Sequence, residues 1–435
     1  MSQNDPLSLQ KETTFRTQSG IPLYLYPNPH LHSFCLCLYA KGGSLYEGEG
    51  ENGVTHAIEH LLFRNVNHAM KGEMYATLDR LGLCFEGTTY KEFVQFSITG
   101  PTESFAAAAE IFTRLLLPLS LPAKEWEVEK RRIKAEIREE GERTSLDFFA
   151  DGIVHGGTSL SRTITGTAGG LDAFSLSFLE KARRSLFSLG NFFFYLTGNA
   201  TESDAALLCR LAEDYEIEKD APVRNNLAPL PPAFGRRNAT VAVKNKTRTS
   251  VRLSVDVDTS LTTDAELILL YDILFGDGEC CLLHRALSEE KGYIYSFRAG
   301  MELYRNMAVI SVSYEIPPKS LLPSLRLLTD ALGRVKKEVG DALEGVRAPY
   351  VLNAEMMLDD AADLNWNRAY ETKILGLPYE TVADRKTAYA RVTEGDVCAL
   401  ARSLFTPQNL TLTVCGNARR IDKDALRATL LSLEE

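Results

Sequence analysis

Between Thr14 and Tyr39 apolar and polar positions alternate in two short runs, broken at Ser19-Gly20 and at Pro27-Asn-Pro29. The chain then passes into Ser33 to Tyr39, which is almost wholly apolar or cysteine. Two strand-like runs followed by a nearly continuous apolar run predict a hairpin feeding a buried strand. Gly42-Gly43 and the acidic, glycine-rich Glu47 to Gly53 form a loop, and Thr55 is a candidate N-cap for the helix that follows. Two more helices and further strands, among them Phe93 to Thr99, precede a long charged helix from Pro122 to about Glu142. At 100° per residue, Trp126, Glu129, Ile133, Glu136, Ile137 and Glu140 share one stripe of that helix, with Lys130, Lys134 and Arg138 on the other side. Glu129 and Glu136 therefore sit on the apolar stripe, where a carboxylate needs a ligand or a partner charge. Glu125, Glu127 and Glu139 fit a solvated face.

A repeat organises the whole chain. Arg184-Ser-Leu-Phe187, Asn191, the apolar run Phe192 to Thr197 and Gly198-Asn199 recur as Arg402-Ser-Leu-Phe405, Asn409, Leu410 to Cys415 and Gly416-Asn417. Every match keeps one offset of 218 residues, which predicts duplication. The Pro-rich segment Ala221 to Pro232 lies between the copies as an extended linker. Two homologous α/β domains follow, 1–225 and 226–435. A length of 435 residues also requires more than one core.

Composition narrows the functional classes. A net charge of −10 argues against nucleic acid or an anionic membrane as the main partner. The basic cluster Lys130-Arg-Arg-Ile-Lys134 is interleaved with glutamates and fits a solvated helix face. The first residues lack a basic segment followed by an apolar one, and the longest apolar run, Leu115 to Leu121, is far short of the ~20 residues of a membrane span. The expectation is a cytoplasmic protein. Eight scattered cysteines with no Cys-x-x-Cys fit reduced, buried small residues, with Cys280-Cys281 a candidate reactive pair.

The chemistry concentrates in Asn52-Gly-Val-Thr-His-Ala-Ile-Glu-His-Leu-Leu-Phe63. His56 and His60 are i,i+4 neighbours on one helical face, and their rings can converge on one ion at about 2.0–2.1 Å. Two readings are open for a bare pair of this kind: core packing beside Leu61, Leu62 and Phe63, or metal ligation. Glu59 favours the second, because an ionisable group on an otherwise apolar helix is expensive to bury without a task. One residue before His60, it can take the proton of a water activated at the metal. The second copy has no such pair, since the positions 218 residues on are Leu274 and Gly278.

These residues resemble the pitrilysin-type (M16, inverted zincin) metallopeptidases, the family that includes the mitochondrial processing peptidase. The motif is His56-Ala-Ile-Glu-His60, and Glu136 lies 76 residues beyond the second histidine, where that family has its third ligand. Glu129-Lys130 matches a further family pair seven residues earlier, and Gly53, Arg80-Leu-Gly82, Lys291 to Ser296 and both strand-Gly-Asn endings extend the likeness along the chain. It implies an α+β fold of two mostly antiparallel sheets flanked by helices, half of a clamshell. It implies Zn2+ held by His56, His60 and Glu136, with Glu59 as general base and Glu129 ordering the surroundings.

Two positions depart from the pattern. Where the family has Asn-Ala in a substrate-binding edge strand, this chain has Glu86-Gly87, a carboxylate that either alters peptide preference or faces solvent. Where active members carry an arginine seven residues before a tyrosine, Tyr295 supplies the tyrosine but Ser288 stands in place of the arginine. Half-length members work as dimers in which that pair faces the partner's zinc. The resemblance therefore implies a peptidase acting on unfolded peptides or leader segments, completed by a homologous subunit. The alternatives are a homodimer in which Arg285 or Arg298 substitutes, and a non-catalytic subunit of a processing complex.

Overall fold

The computed structural model describes residues 11–143, 145–219, 238–276 and 281–434. Two compact units divide them. The first is built on six strands: β1 Thr13–Arg16, β2 Pro22–Pro27, β3 Ser33–Lys41, β4 Cys84–Thr89, β5 Phe93–Pro101 and β6 Phe192–Gly198, in the order β1-β2-β6-β3-β5-β4. The second is built on β7 Thr240–Asn245, β8 Ser250–Val257, β9 Arg298–Leu303, β10 Ala308–Glu315 and β11 Leu410–Gly416, in the order β7-β11-β8-β10-β9. Without β1, the two orders superimpose strand for strand. Each sheet has one parallel pair, β2 with β6 and β7 with β11, and is otherwise antiparallel. The agreement of the two orders is what the 218-residue offset implies, and the mostly antiparallel α+β architecture is the one the family resemblance implies.

The first two strands form the expected hairpin, Thr13 facing Leu25 and Arg16 facing Pro22. The strand it feeds is not its neighbour: β6 inserts between β2 and β3. All seven residues of β6 and of β11 are buried, the pattern of central strands covered on both faces. On β3 the even positions Phe34, Leu36, Leu38 and Ala40 join the main core of the first unit. The odd positions Cys35, Cys37 and Tyr39 face the opposite way, as strand periodicity requires, and are also buried.

What covers that opposite face comes from far along the chain. Glu355–Tyr379 belongs with the first unit and Arg143–Ser161 with the second. In the first unit the helix Ala361–Ala369 lies on β3 and β6. There Asn365 Nδ2 donates to the carbonyls of Cys35 and Tyr195 at 3.2 and 2.9 Å, Tyr39 Oη donates to Asn365 Oδ1 at 2.9 Å, and Thr197 Oγ1 donates to the Ala361 carbonyl at 2.7 Å. In the second unit the helix Ser145–Val154 lies on β8 and β11, anchored by Asp147 Oδ1 to Arg252 Nη1 at 2.6 Å. The boundary expected near residue 225 and the Pro-rich linker lie outside the described residues. Among those described, no helix is long and apolar enough to cross a membrane.

Candidate metal centre

Two helices of the first unit make the site, α1 Val54–Ala69 and α2 Ala123–Arg143. Helix α1 buries Val54, Ala57, Ile58, Leu61, Leu62 and Val66 against the sheet, and this fixes the direction in which His56, Glu59 and His60 emerge. Its N-terminus is capped differently from expectation. The N-cap is Gly53, left-handed at φ 92°, while Thr55 lies inside the helix and its Oγ1 accepts from the Gly43 N–H at 3.0 Å. The buried Glu47 carboxylate takes the capping role from the preceding loop, accepting from the N–H groups of Gly53 and Thr55 at 2.8 and 3.0 Å. A side chain at Gly53 has no room, because its Cβ would lie 2.7 Å from the Thr165 carbonyl oxygen and 2.8 Å from Gly166 Cα.

The imidazoles of His56 and His60 stack edge to face with centroids 4.6 Å apart. The Glu136 carboxylate straddles them, Oε1 lying 3.5 Å from His56 Nε2 and Oε2 3.3 Å from His60 Nε2. These three residues form a potential ligand group whose donor atoms all lie within 4.8 Å of one another. Ligands held at about 2.0–2.1 Å in a tetrahedron are separated by roughly 3.3–3.4 Å, so the donor set fits zinc in both chemistry and span. Two imidazoles and one carboxylate also leave a fourth position open, which is the catalytic rather than the structural arrangement.

Around the triad stands an ordered second layer. Glu129, 1% exposed, accepts from His60 Nδ1 at 2.7 Å, and its other oxygen accepts from Arg64 Nε. Arg64 Nη1 in turn donates to Glu125 Oε2 at 2.7 Å, so Glu125 is a paired residue of this layer rather than part of a merely solvated face. Burial alone would lower the His60 pKa, but hydrogen bonds with Glu129 and Glu136 outweigh it and push the group up to about 9. Hydrogen bonds from both imidazoles hold Glu136 well below the usual carboxylate range. Burial raises the Glu129 carboxyl, yet its bonds to His60 and Arg64 bring it below its ordinary value.

Glu59 points into a cleft of about 650 Å3 that is also lined by His56, His60, Glu136 and the end of β4. Thr89 Oγ1 donates to Glu59 Oε2 at 2.7 Å, fixing one carboxylate oxygen. Along β4, Phe85, Gly87 and Thr89 face α1, the Phe63 and Phe85 rings lying 4.8 Å apart. Glu86, on the alternate face, is exposed. A Cβ at Gly87 would come within 2.7 Å of Phe63 Cε2 and 3.1 Å of Glu59 Cγ, so this strand approaches the helix only as glycine. Gly87→Ala is therefore expected to destabilise the chain by about 1–3 kcal/mol through overpacking. Denaturant midpoints check this, and a wild-type midpoint would refute it.

The second unit holds the remaining candidates. Tyr295 is 95% exposed there. Ser288 falls in the π-helical turn Arg285–Glu289 and is half-buried. Arg298 is engaged by Asp147, whereas Arg285 is exposed. Of the cysteine pair, Cys280 is outside the described residues and Cys281 is buried.

Residues 26–151 match the profile described as insulinase (peptidase family M16). An uncharacterised zinc protease of Streptomyces coelicolor is 23% identical over 424 residues, covering 94% of this chain and 90% of that one. Over those residues the chain is similar to peptidase family M16. The fold is seen again in a protease from Helicobacter pylori, with a TM-score of 0.82 and 16% identity over 94% of this chain and all of that one. It is seen also in an M16 inactive domain from Pseudomonas fluorescens, with a TM-score of 0.80 and 18% identity over 94% and 98% of the two chains. Thr89, Arg64 and Glu47 carry parts of this site that the residue patterns did not reveal. Only Arg64 had a usable signal, standing i+4 from His60 on the same helical face.

Proposed function

We propose that this chain, similar to the M16 peptidases, is a zinc-dependent endopeptidase acting on unfolded peptides or leader segments, with a homologous subunit completing its active site. The observation that carries the reading is the ligand triad His56, His60 and Glu136 opening, together with Glu59, on one cleft beside the edge strand β4. Bound there, zinc supplies Lewis-acid chemistry, acidifying water and polarising a carbonyl. The chain's own groups do the rest. Glu129 accepts the His60 Nδ1 proton, which fixes the tautomer with Nε2 free to ligate. Thr89 holds one oxygen of Glu59, and the other is left to take a proton from the attacking water and return it to the leaving amine. Strand β4, paired on one side by β5, offers its free edge to an extended peptide.

Ser288 stands seven residues before Tyr295, so the arginine-tyrosine pair that the family resemblance implies lacks its arginine in this chain. A homologous subunit bearing both residues would supply the pair. The second reading, a non-catalytic binding subunit, is favoured by the same Ser288 and by the inactive M16 domain that shares the fold.

The test uses the full chain with zinc, alone and mixed with a homologue carrying both residues, against a quenched fluorescent unfolded peptide. One zinc per chain is expected, with hydrolysis about 10²–10³-fold faster in the mixture, the range lost with one oxyanion donor. A full rate from the single chain rules out the heterodimer. No hydrolysis in either sample rules out the peptidase.

A further inference from the structure

Neither the ligand triad nor Glu59 accounts for a cation in the cleft. Arg132 lines it alongside Glu59, Glu136 and Glu139, and is the one lysine or arginine among its described lining residues. The Arg132 side chain is 70% exposed, and its ion partner is Glu129 Oε1 at 3.7 Å. That oxygen already accepts from His60 at 2.7 Å, and the other oxygen of Glu129 serves Arg64. Arg132 is thus held at the outer limit of an ion pair by a carboxylate already committed elsewhere. Its planar fork of five donors matches a carboxylate bidentately.

We infer that Arg132 is a specificity-determining residue that binds an acidic side chain of the peptide within about two residues of the bond cut. The inference rests on the peptidase reading of the same cleft. Arg132 stands four residues before Glu136, one turn or about 5.4 Å along α2. An extended peptide advances about 3.3 Å per residue, so one turn of helix spans nearly two of its positions. Around that point the described lining residues with carboxylates are Glu59, Glu136 and Glu139, and Arg132 is the one arginine or lysine among them for an acidic peptide side chain to meet. The neighbouring Arg131 is exposed and does not line the cleft. It is the internal control for a merely solvated cation.

The experiment measures binding without turnover. Full-length Glu59→Gln chain, loaded with zinc, is titrated into labelled unfolded peptides in which a single Glu, or Gln in its place, is walked along a neutral sequence. Wild-type cleavage products locate the scissile bond. Within two residues of that bond, Glu is expected to bind about three- to tenfold more tightly than Gln. Arg132→Gln should bring that ratio to about one, Arg132→Glu should invert it, and Arg131→Gln should leave it in place. In the wild-type background the same preference should appear in KM rather than kcat. Equal loss of kcat on Glu and Gln peptides in the Arg132→Gln chain would mark an oxyanion donor and overturn the inference. So would a ratio that Arg132→Glu leaves unchanged, or the absence of peptide binding. Discrimination that persists in a chain unable to hydrolyse any peptide, with or without its homologue, upholds acid recognition and defeats the peptidase reading.

Discussion

Replacing Glu59 by Gln is expected to lower peptide hydrolysis by about 10²–10⁴-fold, the contribution of a positioned general base, while zinc stays at one equivalent per chain. The split between activity and metal content follows from geometry. Glu59 emerges from the same turn of α1 as the ligands, yet its contact is with Thr89 Oγ1 at 2.7 Å, and it is absent from the group His56, His60 and Glu136 that converges on one point. Glutamine keeps the shape and can still accept from Thr89, but it cannot take a proton. A structural role for Glu59 would instead show as lost metal or lowered stability in the Gln chain. Metal analysis, thermal unfolding and kcat/KM on one preparation separate the two. Equal turnover by wild type and variant would falsify the peptidase reading, because a side chain that cannot take a proton cannot serve as its general base.

Helical periodicity made most of this site legible. His56, Glu59 and His60 are one turn apart, and Glu136 could be placed on an inward stripe before any fold was known. The 218-residue offset foretold two sheets of one topology, and the strand orders agree. Contacts made through space were not legible. Glu125 had the pattern of a solvated residue and meets Arg64, 61 positions away, across two helices. Thr89 gives no local sign that it reaches Glu59. Glu47 displaces Thr55 as the cap because a loop carboxylate can accept two N–H groups at once, an arrangement that no spacing rule encodes. The membership of Ser145–Val154 and Ala361–Ala369 was equally hidden. The continuous burial of β3 and β6 says that a second helix layer exists, but not which part of the chain supplies it.

Removing the proposed third ligand should have a still sharper signature than removing the proposed base. Glu136→Ala is expected to weaken zinc binding by more than 10²-fold, beyond the roughly 10–100-fold of an outer-layer residue, and to abolish hydrolysis at stoichiometric metal. Glu129→Gln, one layer out, should fall within that 10–100-fold range. The ordering comes from position. Glu136 bridges His56 and His60 at 3.5 and 3.3 Å, whereas Glu129 acts through His60 Nδ1 alone and is itself tethered by Arg64. Glutamine at 129 can still accept from Nδ1 through its amide oxygen, so the tautomer survives while the charge that strengthens the imidazole is lost. Excess zinc should therefore restore hydrolysis to the Glu129→Gln chain and leave the Glu136→Ala chain inactive. Competition against a chromophoric chelator gives both affinities. Equal affinities in the two variants would mean that Glu136 is not a ligand, and the triad would have to be redrawn around another oxygen donor, with Glu139 of the same cleft the first to examine.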